Sequence, residues 1–149
     1  VTTRQIGIDA HTAGGAALVV VGGLVAAATG PLDLEKGSWL AAYLVLVGGV
    51  ALIAIGIAQQ HLPTPVPVPL QIVQLSGWAV ANVVVMLGGL LSSSVTINVG
   101  AVLLLLVLAL TWWAGHGLIR TRSVLAYAYL AILTILIVSA PIGMVLGAR

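Results

Sequence analysis

Few side chains in this sequence could ligate a metal or carry a proton, and three histidines lead them: His11, His61 and His116. A neutral imidazole offers one ring nitrogen to haem iron, copper or zinc while a neighbour holds the other N–H. Gln59 and Gln60 precede His61, Trp112 and Trp113 precede His116, and Gln71 and Gln74 follow shortly after His61. Brought to one depth, these polar and aromatic groups would support a haem or quinone head group. One reading is therefore a b-type haem or metal site held by two of the three histidines. The competing reading needs no cofactor, because His, Trp and Gln gather at membrane surfaces, where a ring finds both oil and water.

Other chemistries find less support. There is no cysteine, which excludes thiolate ligands, disulfides and cysteine nucleophiles. No phosphate-binding loop of the GxxxxGK[ST] or GxGxxG kind occurs. Serine, histidine and aspartate are all present, but without a nucleophile elbow to expose a serine. No catalytic residue stands out, and an enzyme is not the expected class. "GPLDLEKGSW" gathers Asp33, Glu35 and Lys36; a two-carboxylate cation site is outweighed by a solvated turn with Trp39 and Tyr43 as interfacial anchors. A net charge of +2 with no basic stripe gives no nucleic-acid surface.

These groups sit in a chain of 149 residues that is 61% hydrophobic and 5% charged, with a mean hydropathy of +1.25. Soluble domains carry about 25% charged residues, so the lipid bilayer is the expected partner. The apolar runs predict five transmembrane helices, at about 11–29, 38–60, 69–92, 95–117 and 123–147, within one polytopic domain. Helices are required because lipid leaves backbone N–H and C=O groups no partner outside the segment. Ser38 and Ser123 are expected N-caps. Asp9 ahead of the first run argues for a retained helix over a signal peptide.

Five crossings put the two ends on opposite faces and all three histidines near one face. Arg4, Arg120 and Arg122 share the N-terminal side, against Lys36 and Arg149 on the other. By the positive-inside rule the N-terminus is cytoplasmic. The Ala-, Val-, Leu- and Gly-rich, Arg-over-Lys composition suggests a bacterial inner membrane. No Asp, Glu, Lys or Arg falls within a span, and proton-coupled pumps usually need such groups at depth.

Two features bear on packing. Pro63, Pro65, Pro67 and Pro69 alternate between the second and third spans. They predict an extended connection of about 3.1 Å per residue, long enough that the flanking helices need not be neighbours. Its apolar side chains would lie at lipid head groups or under a partner. Glycines recur on single helix faces, Gly15 with Gly22, Gly49 with Gly56 and Gly143 with Gly147. Such faces let helices approach closely, within the chain or across a homo-oligomer seam. Asn82, inside the third span, should bond across helices.

The leading expectation is a non-enzymatic accessory or assembly subunit of a larger membrane complex, respiratory complexes included, packed against other subunits or its own copies. The haem or metal protein is second. A small oligomeric transporter or channel, with a polar path past Asn82, Thr134 and Ser139, is third.

Overall fold

The computed structural model describes residues 10–61, 65–115 and 124–147, with the side chains at 125–126 and 139–147 left undescribed. The described residues form helices and no strands. These are α1 (Ala10–Thr29), α2 (Gly37–Gln60), α3 (Val68–Leu90), α4 (Ser94–Gly115) and α5 (Val124–Gly147). The first four are each long and apolar enough to cross a membrane, and α5 contributes an apolar stretch over Tyr127–Val138.

Helix ends fall where backbone chemistry closes them. After α1 the Leu34 N–H reaches the Thr29 carbonyl and the Asp33 N–H the Gly30 carbonyl, with Asp33 left-handed at φ 48°. The same paired pattern ends α3: Ser93 N–H bonds Gly88 and Ser92 N–H bonds Gly89, with Ser92 at φ 52°. These are Schellman closures, built here on residues other than glycine. Ser93 then turns its hydroxyl to Thr96 and opens α4. Ser38 does not cap α2 as expected: the helix starts at Gly37, Lys36 holds the cap position, and no side chain caps it. Ser123 lies outside the described residues.

The proline-rich connection runs from the end of α2 at Gln60 to α3 at Val68, within a residue of expectation. Pro67 is the N-cap of α3 at ψ 139°, and its carbonyl accepts from both Leu70 and Gln71. Pro69 therefore belongs to the first turn, where its missing N–H would have had no intrahelical partner anyway. Pro65 and Pro67 precede the helix, and Pro63 lies outside the described residues. Val66 is buried in the bundle's own core, not at a head group or under a partner. As expected, the flanking helices are not tightly packed neighbours: α2 and α3 meet through side chains, Gln59–Gln74 and Trp78–Gly48, while the close backbone partner of α3 is α4.

Glycine sets the tightest approaches. A Cβ at Gly15 would lie 2.7 Å from the Gly49 carbonyl oxygen, and one at Gly49 would lie 2.8 Å from that of Gly15. At Gly22 a Cβ would meet Val45 at 2.7 Å and the Ala41 carbonyl at 3.1 Å. So α1 runs antiparallel on α2. Close contacts of Gly88 with Ile97, Gly100 with Val85 and Gly77 with Val107 make α3 and α4 an antiparallel hairpin. Tyr129 of α5 lies on Gly115 and donates to the Thr111 carbonyl at 3.0 Å. The core runs through Leu52, Ile55, Ala81, Leu104, Leu108 and Leu133.

Helix α2 is the axis of this bundle. It is 44% buried over its most apolar stretch, against 11% for α1. Its middle, Leu44–Val50, is wound as a π-helix. Such wide turns inside α-helices are frequent at functional sites.

Candidate functional site

The π segment forms the floor of a cavity of about 270 Å³ wedged between α1, α2 and α3. Both α1 and α3 lean on α2, and the cavity is the gap between them. Its buried floor is Leu44, Gly48 and Leu52 of α2 with Trp78 and Asn82 of α3. Its rim is exposed at Ala17, Ala79 and Val83. The rim lies on the flanks of two apolar helices, so in a bilayer the opening faces lipid sideways.

Each polar group here is placed by its helix. Trp78 is 2% exposed and donates its indole N–H to the Gly48 carbonyl at 3.3 Å, tying α3 to the π segment. Asn82 is one turn further on and donates Nδ2 to the Trp78 carbonyl at 2.8 Å, within its own helix. That bond fixes the amide orientation, since the reversed amide would set oxygen against oxygen. Oδ1 is left buried with no hydrogen-bond partner. Asn82 is thus not the interhelical glue its position suggested. Tyr43, stacked on Trp39 at 5.6 Å, turns its hydroxyl inward, where it too is buried without a partner. Of the expected pair of interfacial anchors, only Trp39 is exposed.

The two groups stand at similar depth. Tyr43 is six residues inside Gly37, about 9 Å at 1.5 Å per residue, and Asn82 is eight inside Leu90, about 12 Å. Lys36 holds this end of the wedge together. Its ammonium donates to the Gly89 carbonyl at 2.7 Å, to the Leu90 carbonyl at 3.2 Å and to Ser92 Oγ at 2.6 Å. A cation there also faces the negative end of the α3 dipole. Trp39 meanwhile lies over Gly89 so closely that a side chain at Gly89 would collide with its ring.

Comparison with known proteins finds no matching family, no matching curated relative and no matching solved structure. The chemistry of the chain's own residues therefore carries the functional reading.

The histidines lie elsewhere. Antiparallel packing puts His11 and His61 at the same end of the bundle, as the sequence implied for that pair. His11 is buried on α1, whereas His61 is exposed at the end of α2. His61 Nδ1 is 2.8 Å from the Ile57 carbonyl, so Nδ1–H is the donor of that bond. His116 lies outside the described residues. Among the described residues no three His, Cys, Asp or Glu side chains gather for a metal.

The glutamines do not ring a head group. Gln59 donates to Gln74 at 3.0 Å in the buried bundle, and Gln74 Nε2 has no acceptor. Gln71 closes the proline-rich connection by donating to the Val66 carbonyl at 2.8 Å. Trp112 and Trp113 are exposed. Within one chain Asn82 and Thr134 do not meet: Asn82 is buried and bonds its own helix at Trp78, while Thr134 is exposed on α5 and bonds its own helix at Leu130. The side chain of Ser139 lies outside the described residues.

Gly15, Gly22, Gly49 and Gly56 are all buried within the chain. Gly15, Gly22 and Gly49 serve α1–α2 packing and are not presented to a second copy. Gly143 and Gly147 lie in α5, where burial is undescribed. Nothing in the sequence analysis pointed to Trp78 or to the wedge itself. The i, i+4 spacing of Trp78 and Asn82, the two hydrogen-bonding side chains of the stretch 77–90, was the available signal.

Proposed function

We propose that the chain is a non-enzymatic, five-crossing membrane protein that works as an accessory subunit of a larger membrane assembly. The observation that carries this is the outer face of α1. Ala16, Val20, Gly23 and Ala27 lie along one stripe at helical spacing, and all four are exposed. A Cβ built at Gly23 would meet nothing within 4 Å. The inner glycines of α1 are consumed by α2, yet its outer face keeps the small residues Ala16, Gly23 and Ala27 beside the exposed Val20, Val21 and Leu24. Facing lipid, such a surface gains little, and small-residue faces are where membrane helices pack on one another. The charge count, Arg4, Arg120 and Arg122 against Lys36 and Arg149, supports a cytoplasmic N-terminus in a bacterial inner membrane.

The test is site-specific photocrosslinking in the native membrane. A benzophenone side chain at Ala27 is expected to capture one membrane protein in stoichiometric yield. The same probe at Val99, exposed on α4, should capture only lipid, and Gly23→Leu should abolish the capture at Ala27. Equal, diffuse labelling from both positions would end the subunit reading.

A second reading keeps one observation on its side. His61 Nδ1–H is held by a carbonyl, which is how the imidazoles of metal sites are oriented. A haem held by His61 would give a Soret band that disappears in His61→Ala. A colourless protein purified from its native membrane, with no metal by mass spectrometry, would remove this reading.

A further inference from the structure

We propose that the wedge between α1 and α3 holds one hydrocarbon chain of a bilayer lipid, which enters sideways through the exposed rim. The site belongs to the cavity and is independent of the subunit reading.

The wall sets the chemistry. Almost all the surface it presents is carbon, from Leu18, Leu44, Leu52, Leu75, the Trp78 ring and Met86. The unpartnered Asn82 Oδ1 and Tyr43 hydroxyl are buried behind that wall, so the cavity offers no hydrogen bond. Water needs several polar partners to stay in a cavity, and an apolar cavity of ~150 Å³ remains dry and takes up benzene. A head group, an alcohol or a quinone carbonyl would lose its hydrogen bonds here. A saturated chain has none to lose.

Shape and depth select among apolar groups. On α3 the lining runs from Leu75 to Met86, eleven residues, about 16.5 Å at 1.5 Å per residue. The cavity is long in the direction of the helices, which is also the direction of lipid chains. Its 270 Å³ takes about nine methylene-sized groups at ~30 Å³ each, and a single ring would leave it half empty. The rim opens at the middle of the span, because Ala79 is eleven residues from Val68 and eleven from Leu90. Lipid chains end at that depth.

Two glycines keep the space open. A Cβ at Gly14 would lie 3.6 Å from Leu52 and 3.8 Å from Leu75, and one at Gly48 would lie 3.4 Å from Leu18. These are ordinary contacts with side chains, unlike the backbone collisions at Gly15 and Gly49. Gly14 and Gly48 therefore serve no close helix approach, and both line the cavity. Left empty, the lining forfeits its dispersion contacts on that side; a chain end restores them.

The experiment uses the full chain in phosphatidylcholine vesicles that contain a minor fraction of a phosphatidylcholine whose acyl chain ends in a diazirine. Illumination yields a carbene that inserts into bonds beside the chain end, and peptide mass spectrometry locates the adduct. Leu52 and Trp78 are each 2% exposed and line the cavity, whereas Ile55 at 2% and Leu108 at 0% are as deeply buried outside it. Adducts are expected on Leu52 and Trp78 and not on Ile55 or Leu108. The double change Ala17→Leu with Ala79→Leu overfills the exposed rim without touching the core. It should lower the Leu52 and Trp78 adducts about tenfold and leave those on exposed Leu87 unchanged. Unlabelled Ile55 in that variant reports an intact core, and Ala79→Leu alone gives the same readout from one side of the rim. Adducts confined to exposed residues such as Leu87 would mean an empty wedge or one filled by protein, and would overturn the proposal. So would equal labelling of Leu52 and Ile55, or labelling of Leu52 and Trp78 that ignores the rim leucines.

Discussion

Replacing Gly15 by Ala and, separately, Gly23 by Ala isolates the packing that holds α1 on α2. Both residues are in α1, so the gain in helix propensity on leaving glycine, at most about 1 kcal/mol, is shared and cancels in the comparison. What differs is the neighbour. At Gly23 the new methyl enters open space. At Gly15 it lies 2.7 Å from the Gly49 carbonyl oxygen and 2.9 Å from the Ile53 nitrogen. Ordinary contact begins at 3.4 Å, so α1 and α2 must separate by about 0.7 Å (3.4 less 2.7). Both obstructing atoms are backbone, and no rotamer change relieves them. Overpacking of this kind costs about 1–3 kcal/mol. Gly15→Ala should therefore unfold more easily than Gly23→Ala by a factor of roughly five to 150 in the equilibrium constant. The assay is titration from a mild detergent into dodecyl sulfate, followed by far-UV circular dichroism. Coincident midpoints for the two variants would refute the close approach at Gly15–Gly49 and, with it, the α1–α2 register.

Other consequences can be checked in the same assay. Gln59→Leu strands the buried Gln74 amide and should cost about 1–2 kcal/mol, while the double change Gln59→Leu with Gln74→Leu should recover most of it; a double variant as unstable as the single one would contradict the buried pair. Trp78→Phe removes the bond to the Gly48 carbonyl and should cost about 0.6 kcal/mol beyond its packing loss, typical of interhelical bonds in lipid. Lys36→Met strips three hydrogen bonds from the end of α3; because much of that contact is exposed, the expected loss is only about 0.5–1 kcal/mol, larger at low than at high salt. Asp33→Gly relieves a left-handed backbone at φ 48° and should stabilise by up to about 1 kcal/mol, measured as a later midpoint.

The sequence alone determined that this is a helical chain for a membrane, and it located the breaks. Apolar runs of the right length, with charges confined between them, leave the backbone no other way to satisfy its hydrogen bonds in lipid. The end of α1, the end of α2 and the 91–93 turn fell within a residue or two of expectation for that reason. Local chemistry misled where two roles compete for one residue. Ser38 fits an N-cap yet lies inside α2, and Pro69 fits an extended strap yet is equally at home in a helix's first turn.

Tertiary structure alone decided which polar atoms are satisfied and which are left over. Whether Asn82 bonds across helices, whether Gly15 serves its own chain or a second copy, and whether Tyr43 points to water or inward all depend on how α1 and α3 lean on α2. Periodicity fixes the face of a helix on which a residue sits, but not what stands opposite. In lipid that choice is made by sub-ångström fits between small residues, because burial of apolar surface no longer separates inside from outside.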